Sequence, residues 1–159
     1  MSTPAHLWLT DETGSPVVGE CLMPARLGSI EMRSLMHNIT IPVDTNIGKL
    51  TGTRVHTPIV FQKEFDKTTP LLLRALCQGR TLKSATIKMY RITDAGVETE
   101  YFNIVLEDVL ITSVTPSFIP TGVVATHLEN IEMRYKTIMW KYIDGNVQFK
   151  DSWNEYMRG

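Results

Sequence analysis

GTRVHTPIVFQKEFDKTTPLLLRALCQG, residues 52–79, passes from a strand pattern to a helix pattern within a few residues. RVHTPIVFQKEF (54–65) reads as strand, apolar and β-branched in its run, and Pro58 removes a ladder donor part-way along it. Helix signals follow at once. Thr68 or Thr69 is placed to cap the N-terminus, Pro70 suits the first helical position, and Gly79 suits the stop. Between those marks only Arg74 and Gln78 are polar, so a helix over about residues 70–78 has almost no solvated face. It must be covered on more than one side, by a thick core or by another subunit.

The same stretch raises a question of chemistry. His56 could serve as the base of a hydrolase, with Glu64 or Asp66 as its carboxylate. A histidine beside a broken ladder more often bonds a neighbouring backbone group, and that structural role is expected here.

Outward from this segment, strands dominate. AHLWLT (5–10) alternates, and the turn-rich DETGSP follows it. VVGECLM (17–23), SIEMR (29–33) and LMHNITIPV (35–43) are apolar or β-branched runs without helical period, the last confined to an edge or an end by Pro42. DTNIGKLTGT (44–53) holds Gly48 and Gly52 among Asp, Asn and Thr, and is expected to be a functional loop. After the helix come SATIKMYRI (84–92), a TDAG turn, VETEYFNIVL (97–106) and EDVLITSV (107–114), then a second loop, TPSFIPTG (115–122). HLENIEMRYKTIMWKYI (127–143) has Ile131, Met133 and Tyr135 on one face, and from Ile138 the apolar phase flips to Ile138, Trp140 and Tyr142. Such a flip is the mark of a bulge. Asp144-Gly145 is a hairpin signal. Nine or ten strands with a single helix predict a mainly β, two-sheet barrel or sandwich with one flanking helix, in one domain spanning 1–159.

Composition narrows function by exclusion. Sixteen basic and seventeen acidic residues give a net charge of −1, with no Lys/Arg-rich run, so nucleic acid is not an expected partner. No segment has the apolar length to span a bilayer, and MSTPAHLWLTDETG lacks the basic and apolar regions of a Sec signal. Cys21 and Cys77 stand alone, without metal or redox spacing, and are expected as free thiols. His6, His37, His56 and His127 form no HxH, HxxxH or HExxH pattern; a nucleophile elbow, a P-loop and a dinucleotide fingerprint are all absent. The acid pairs Asp11-Glu12 and Glu107-Asp108 are expected to be solvated turn and strand-end residues. No catalytic residue, cofactor or metal is therefore expected.

KLTGTRVHTPIVFQKEFDKTTPLLLRALCQG, EYFNIVLEDVLITSV, HLENIEMRYKTIMWKYIDGN and DSWNE, in this order and spacing, resemble the haemolysin-coregulated protein family, Hcp. PAHLWLTDETG and GSIEM are compatible, so the resemblance covers essentially 1–159. It implies a β-barrel of two sheets with a flanking helix, assembled into hexameric rings with a central channel. It also implies that rings stack into the inner tube of the type VI secretion system, which carries the spike and small effectors in the ring lumen and meets sheath and baseplate components. Synthesis in the cytoplasm and export without a Sec signal follow from the same resemblance. The family's ring-stacking loop corresponds here to Asp44, Thr45, Asn46, Ile47, Gly48, Lys49, Leu50 and Thr51. Subunit-boundary or lumen positions are expected at Leu72, Leu73, Arg74, Leu76, Met139 and Trp140. Some relatives carry an effector domain after the DSWN end; none is expected beyond Gly159. Two other readings remain, a monomeric ligand-binding barrel and the His56 hydrolase.

Overall fold

A computed structural model describes residues 4–118 and 127–152. Its strands are β1 (Ala5–Thr10), β2 (Pro16–Val17), β3 (Ile30–Met32), β4 (Ser34–Met36), β5 (Ile39–Thr40), β6 (Val55–His56) and β7 (Ile59–Glu64). The helix α1 (Thr69–Cys77) follows, then β8 (Thr81–Ile92), β9 (Glu98–Phe118), β10 (His127–Arg134), β11 (Thr137–Tyr142) and β12 (Val147–Ser152). The predicted mainly β fold with one helix is what the chain adopts.

Its two sheets are very unequal. Ten strands form one sheet along the path β2-β1-β8-β9-β10-β7-β4, with β3 on β1 and β11-β12 on β9, while β5 and β6 stand apart as a two-stranded ribbon. All strand pairs in the large sheet are antiparallel. β3 leans on β1 and β4 on β7, so the short segment Ile30–Met36 touches both ends of the path without closing it as one strand. Inside lie Leu7, Leu9, Ile59, Phe61, Ile87, Leu106, Ile131, Met133 and Ile138, each at most 2% exposed. On β7 and β10 they fall at every second residue, as the pleat requires.

The long strand β9 explains how one sheet encloses a core. The two strands expected at 97–106 and 107–114 are a single strand of 21 residues. Fully extended it would span about 70 Å, against roughly 40 Å across a domain of this length. It bends where Asp108 takes φ 53°, a left-handed conformation in which the short Asp side chain is tolerated. The Lys136 amide there donates to both Glu107 O (3.0 Å) and Asp108 O (3.2 Å). Opposite the bend, β10 and β11 are separated by Tyr135 and Lys136, which face Asp108 and Val109 two against two. The phase flip before Ile138 is thus a break between strands, and the register shift of this ladder lies instead between Glu132 and Met133.

Several strand limits differ from the sequence reading. In VVGECLM only Val17 pairs as strand, because residues 19–29 fold back on themselves: Gly19 N donates to Gly28 O, Gly28 N to Cys21 O and Cys21 N to Ser29 O. Gly19 is required there, since a Cβ would lie 2.3 Å from Ser29 O. LMHNITIPV is broken at His37-Asn38 into β4 and β5, which join different sheets. Of the loop expected at 115–122, residues 115–118 remain in β9, paired with His127–Asn130; the rest lies outside the described residues, as does DSWNE beyond Ser152. The hairpin at Asp144-Gly145 forms as expected, with Gly145 at φ 82° and Asn146 N donating to Ile143 O.

The helix runs one residue earlier than predicted, and its caps differ. Neither Thr68 nor Thr69 caps it by side chain. Asp66 does so instead: its Oδ1 accepts the Thr68 amide (2.9 Å) and the Thr68 hydroxyl, while Thr69 Oγ1 accepts the Asp66 amide (3.2 Å). This is the reciprocal logic of a capping box, begun one tight turn upstream. At the far end Gly79 (φ 61°) donates to Leu76 O and Arg80 N donates to Ala75 O, a Schellman closure. The expectation of cover on more than one side fails within the protomer. Leu72 and Ala75 are buried, Leu71 and Leu76 half-buried, and Leu73, Arg74 and Cys77 exposed.

Beneath the helix start sits a buried ion pair that no sequence motif had marked. Lys63 and Glu129 face each other across β7 and β10, 1% and 0% exposed. Lys63 Nζ pairs with Glu129 Oε1 and donates to Asp66 Oδ1 (2.9 Å), and the Thr69 hydroxyl donates to Glu129 Oε1 (2.8 Å). KEFDKTT is thus one polar knot joining two strands to the helix.

Candidate functional site

The residues expected to mediate stacking form the end of an arm. β5 and β6 pair through Ile39↔His56 and Thr40↔Val55, and the ribbon continues through a Val43↔Leu50 bridge. Thr51 N donates to Pro42 O (2.9 Å) and Asp44 N to Lys49 O (2.8 Å). The tip turns on Gly48 (φ 70°), whose amide donates to Asp44 O, and Asp44 Oδ1 accepts the Asn46 amide. What reads as a loop over 44–53 is therefore a hydrogen-bonded tip with Thr45, Asn46 and Ile47 at its turn.

The arm's side chains suit contact with another surface. Ile41, Val43, Ile47, Leu50 and Val55 are 42%, 48%, 70%, 60% and 43% exposed, and Ile39 is exposed as well. A two-stranded ribbon is marginal in water without something to cover its apolar face. The other expected contact residues lie elsewhere. Leu72 belongs to the core, Leu76 is half-buried, and Leu73 and Arg74 are exposed on α1, which rests on β9. Met139 and Trp140 are half-buried on β11; Trp140 packs against the core and stacks on Phe149 with ring centres 6.1 Å apart.

A chain of polar side chains fastens the arm's root to the body. His56, 1% exposed, contacts Asp151 Oδ2 through Nε2 (2.8 Å) and the Tyr135 hydroxyl through Nδ1. Tyr135 also contacts His37 Nε2 (2.8 Å), so it bridges histidines from the two sides of the root. Arg54 holds Asp151 in a fork, Nε to Oδ2 and Nη2 to Oδ1, both 2.6 Å. Neither Glu64 nor Asp66 reaches His56; they bond Arg33 and the Lys63 knot. The groups that meet the two ring nitrogens of His56 are side chains, from β12 and from the β10–β11 connection.

The electrostatics follow from these contacts. The Arg54 fork, and then the His56 hydrogen bond, hold the Asp151 carboxyl below its usual value against its own burial. Burial and the nearby Asp151 push the Tyr135 hydroxyl well up, so it stays protonated across the physiological range. Burial, and then the charge of His56, hold His37 below 6.5. A carboxyl with a depressed value stabilises the fold above its unfolded value of 3.8, and that stabilisation is lost as pH falls through the folded value. Replacing Arg54 by Met is therefore expected to move the acid-unfolding midpoint upward, read by circular dichroism between pH 5 and 2. An unmoved midpoint would mean that the fork does not govern Asp151.

Such an arrangement orients and fastens the root of the arm. Both ring nitrogens of His56 are engaged, and the hydroxyl beside it is the Tyr135 phenol, which is shared with His37. Among the described residues no group of three His, Cys, Asp or Glu side chains is placed to hold a metal ion, and no helix is long and apolar enough to cross a membrane.

Comparison with known proteins agrees with this architecture. Residues 6–142 match the family model described as type VI secretion system effector, Hcp. The chain is 31% identical, over the full length of both, to a protein named major exported protein from Pseudomonas aeruginosa. Its fold is similar to that of the Hcp1 protein from E. coli EAEC 042 pathovar, at TM-score 0.88 and 46% identity, covering 96% of this chain and 99% of that one. It is also similar to the secreted protein Hcp3 from Pseudomonas aeruginosa, at TM-score 0.80 and 27% identity, with 96% and 99% covered. With the match spanning nearly the whole chain, from β1 through β11, the protein belongs to the Hcp family of type VI secretion.

Proposed function

We propose that this chain is a structural subunit of the type VI secretion tube: six copies close into a ring, rings stack through the arm, and the tube is exported with the spike. The observation that carries this reading is the arm itself. It is an ordered ribbon with six exposed apolar side chains, joined to a body whose own core is complete without it. Such a surface is stable only when covered, and in a family of self-assembling tube proteins the cover is a second copy. The half-exposed Leu73 face of α1 supplies a second patch for the neighbour within a ring. Small effectors held in the lumen, and contacts with sheath and baseplate, complete the proposal.

Light scattering on a sizing column is expected to give a mass near six protomers. Deleting residues 45–51 is expected to keep that mass while abolishing stacked tubes in negative-stain micrographs. Tubes of normal length from the deleted protein would overturn the role of the arm, and a monomer at high concentration would overturn the ring. The monomeric ligand-binding barrel has less support, because Phe61, Leu7, Ile87, Leu106 and Met133 fill the interior that a ligand would need.

A further inference from the structure

The hydrogen bonds at the arm's root can absorb one added proton but not two, and this gives the arm a control that its apolar surface does not. The Asp151 carboxylate, held by Arg54, can only accept, so His56 Nε2 carries a proton toward it. With both imidazoles neutral, the assignment that satisfies both contacts has the Tyr135 hydroxyl donating to His56 Nδ1 and its oxygen accepting from His37 Nε2. If His56 takes a proton at Nδ1, Tyr135 turns and donates to His37 Nε2, whose own proton moves to Nδ1. If His37 takes it instead, the original direction stands. When both are protonated, two N–H groups aim at one hydroxyl oxygen and the Tyr135 proton has no acceptor. Two cationic rings then lie with centres 6.4 Å apart.

The geometry points to a proton-operated latch in which acidification expels His37 from Tyr135 and frees one side of the arm's root. His37 is the ring that leaves, because it is half-buried, whereas His56 is enclosed and tied to Asp151. Among the described residues, the charged and titratable groups facing the pair are Arg54 beside β6, Asp151 on β12 and Tyr135 just past β10, with Arg134 acting on Tyr135. Trp140 on β11 lies against the His37 ring, and the Thr57 backbone reaches it from the other strand of the root. A histidine held below 6.5 favours the closed latch above that pH and loses it as pH falls below. The effect on stacking rests on the proposed function; the latch itself does not.

Two readouts separate them. Tryptic cleavage after Arg54 is measured at pH 7.5 and 5.5, normalised at each pH to an unstructured peptide bearing the same site. Wild type is expected to be cleaved at least about tenfold faster at pH 5.5 if one strand of the root is released. His37→Gln, whose amide donates to Tyr135 at any pH, is expected to change less than about twofold. Tyr135→Phe is expected to be cleaved fast at both. Trp140 provides a direct probe: an imidazolium against an indole quenches it, so the wild-type fluorescence minus that of His37→Gln should titrate with a midpoint below 6.5. Equal pH responses in wild type and His37→Gln, or no response in either, overturn the latch. If the latch titrates while micrographs show no stacking at either pH, the role of the arm in stacking falls and the latch stands.

Discussion

Glu129→Ala is expected to destabilise the folded chain by about 3–5 kcal/mol, the usual cost of removing one partner from a buried ion pair. Lys63 is 1% exposed. The substitution leaves its ammonium with Asp66, Thr69 and a backbone carbonyl, and the carboxylate it faces across the sheet is gone. The helix loses an anchor too, because the Thr69 hydroxyl donates to the same oxygen. At roughly 2 kcal/mol per molar urea for a domain of this size, the unfolding midpoint should fall by about 2 M. The double variant Lys63→Met, Glu129→Leu is expected to recover most of that loss, since apolar residues of similar volume often replace a buried pair without penalty. Glu129 Oε2 is buried with no hydrogen-bond partner among the described residues, so the native pair is itself imperfectly satisfied. A midpoint shift below about 0.5 M in Glu129→Ala would show that the pair is already hydrated.

Ile47→Asp combined with Leu50→Asp is expected to weaken ring stacking by a factor of about a hundred to ten thousand while leaving the fold intact. The two side chains are 70% and 60% exposed in the protomer, so in the proposed stacking their burial would come with assembly and not with folding. Covering an Ile or Leu is worth about 1.5–3 kcal/mol each, and every 1.4 kcal/mol is tenfold in affinity, with K values scaling accordingly. Surface substitutions of this kind usually change folding stability by no more than about 0.5 kcal/mol. Sedimentation of the variant at increasing concentration is the decisive measurement. Rings without tubes are the expected result; tubes at the wild-type threshold would mean that the arm tip does not bear on a partner.

These two predictions differ in how far they were visible beforehand. Ile47 and Leu50 came from the resemblance, which sets the family's ring-stacking loop at residues 44–51, within a stretch that reads as a loop from its Gly, Asp, Asn and Thr. Lys63 and Glu129 could also have been found: in I59-F61-K63 and E129-I131-M133 the strand period puts both charges on the inward face. The period was there to see, but a charge at an inward position suggests a strand end until its partner is known. Asp151 had no such signal. It meets His56 across 95 residues, and Tyr135 meets it across 79, contacts that depend on which strands become neighbours.

Local chemistry in the sequence determined most of the extended segments, though not 17–23 or 115–118, where the helix α1 begins and ends to within a residue, and that Asp144-Gly145 turns a hairpin. Those features depend on a few neighbouring residues: side-chain period, proline and glycine conformations, and capping groups. Its longer motifs also pointed to the family. Tertiary structure alone decided that 98–118 is one strand bent at Asp108, that 35–43 splits between two sheets, and that the greasy helix keeps one side open in the protomer. It alone joined His37, Tyr135, His56, Asp151 and Arg54 at the root of the arm. The physical reason is that a strand's pattern specifies which face is buried but not which strand lies beside it. Pairing is settled by the register of the whole sheet, and with it the partners of every buried polar group.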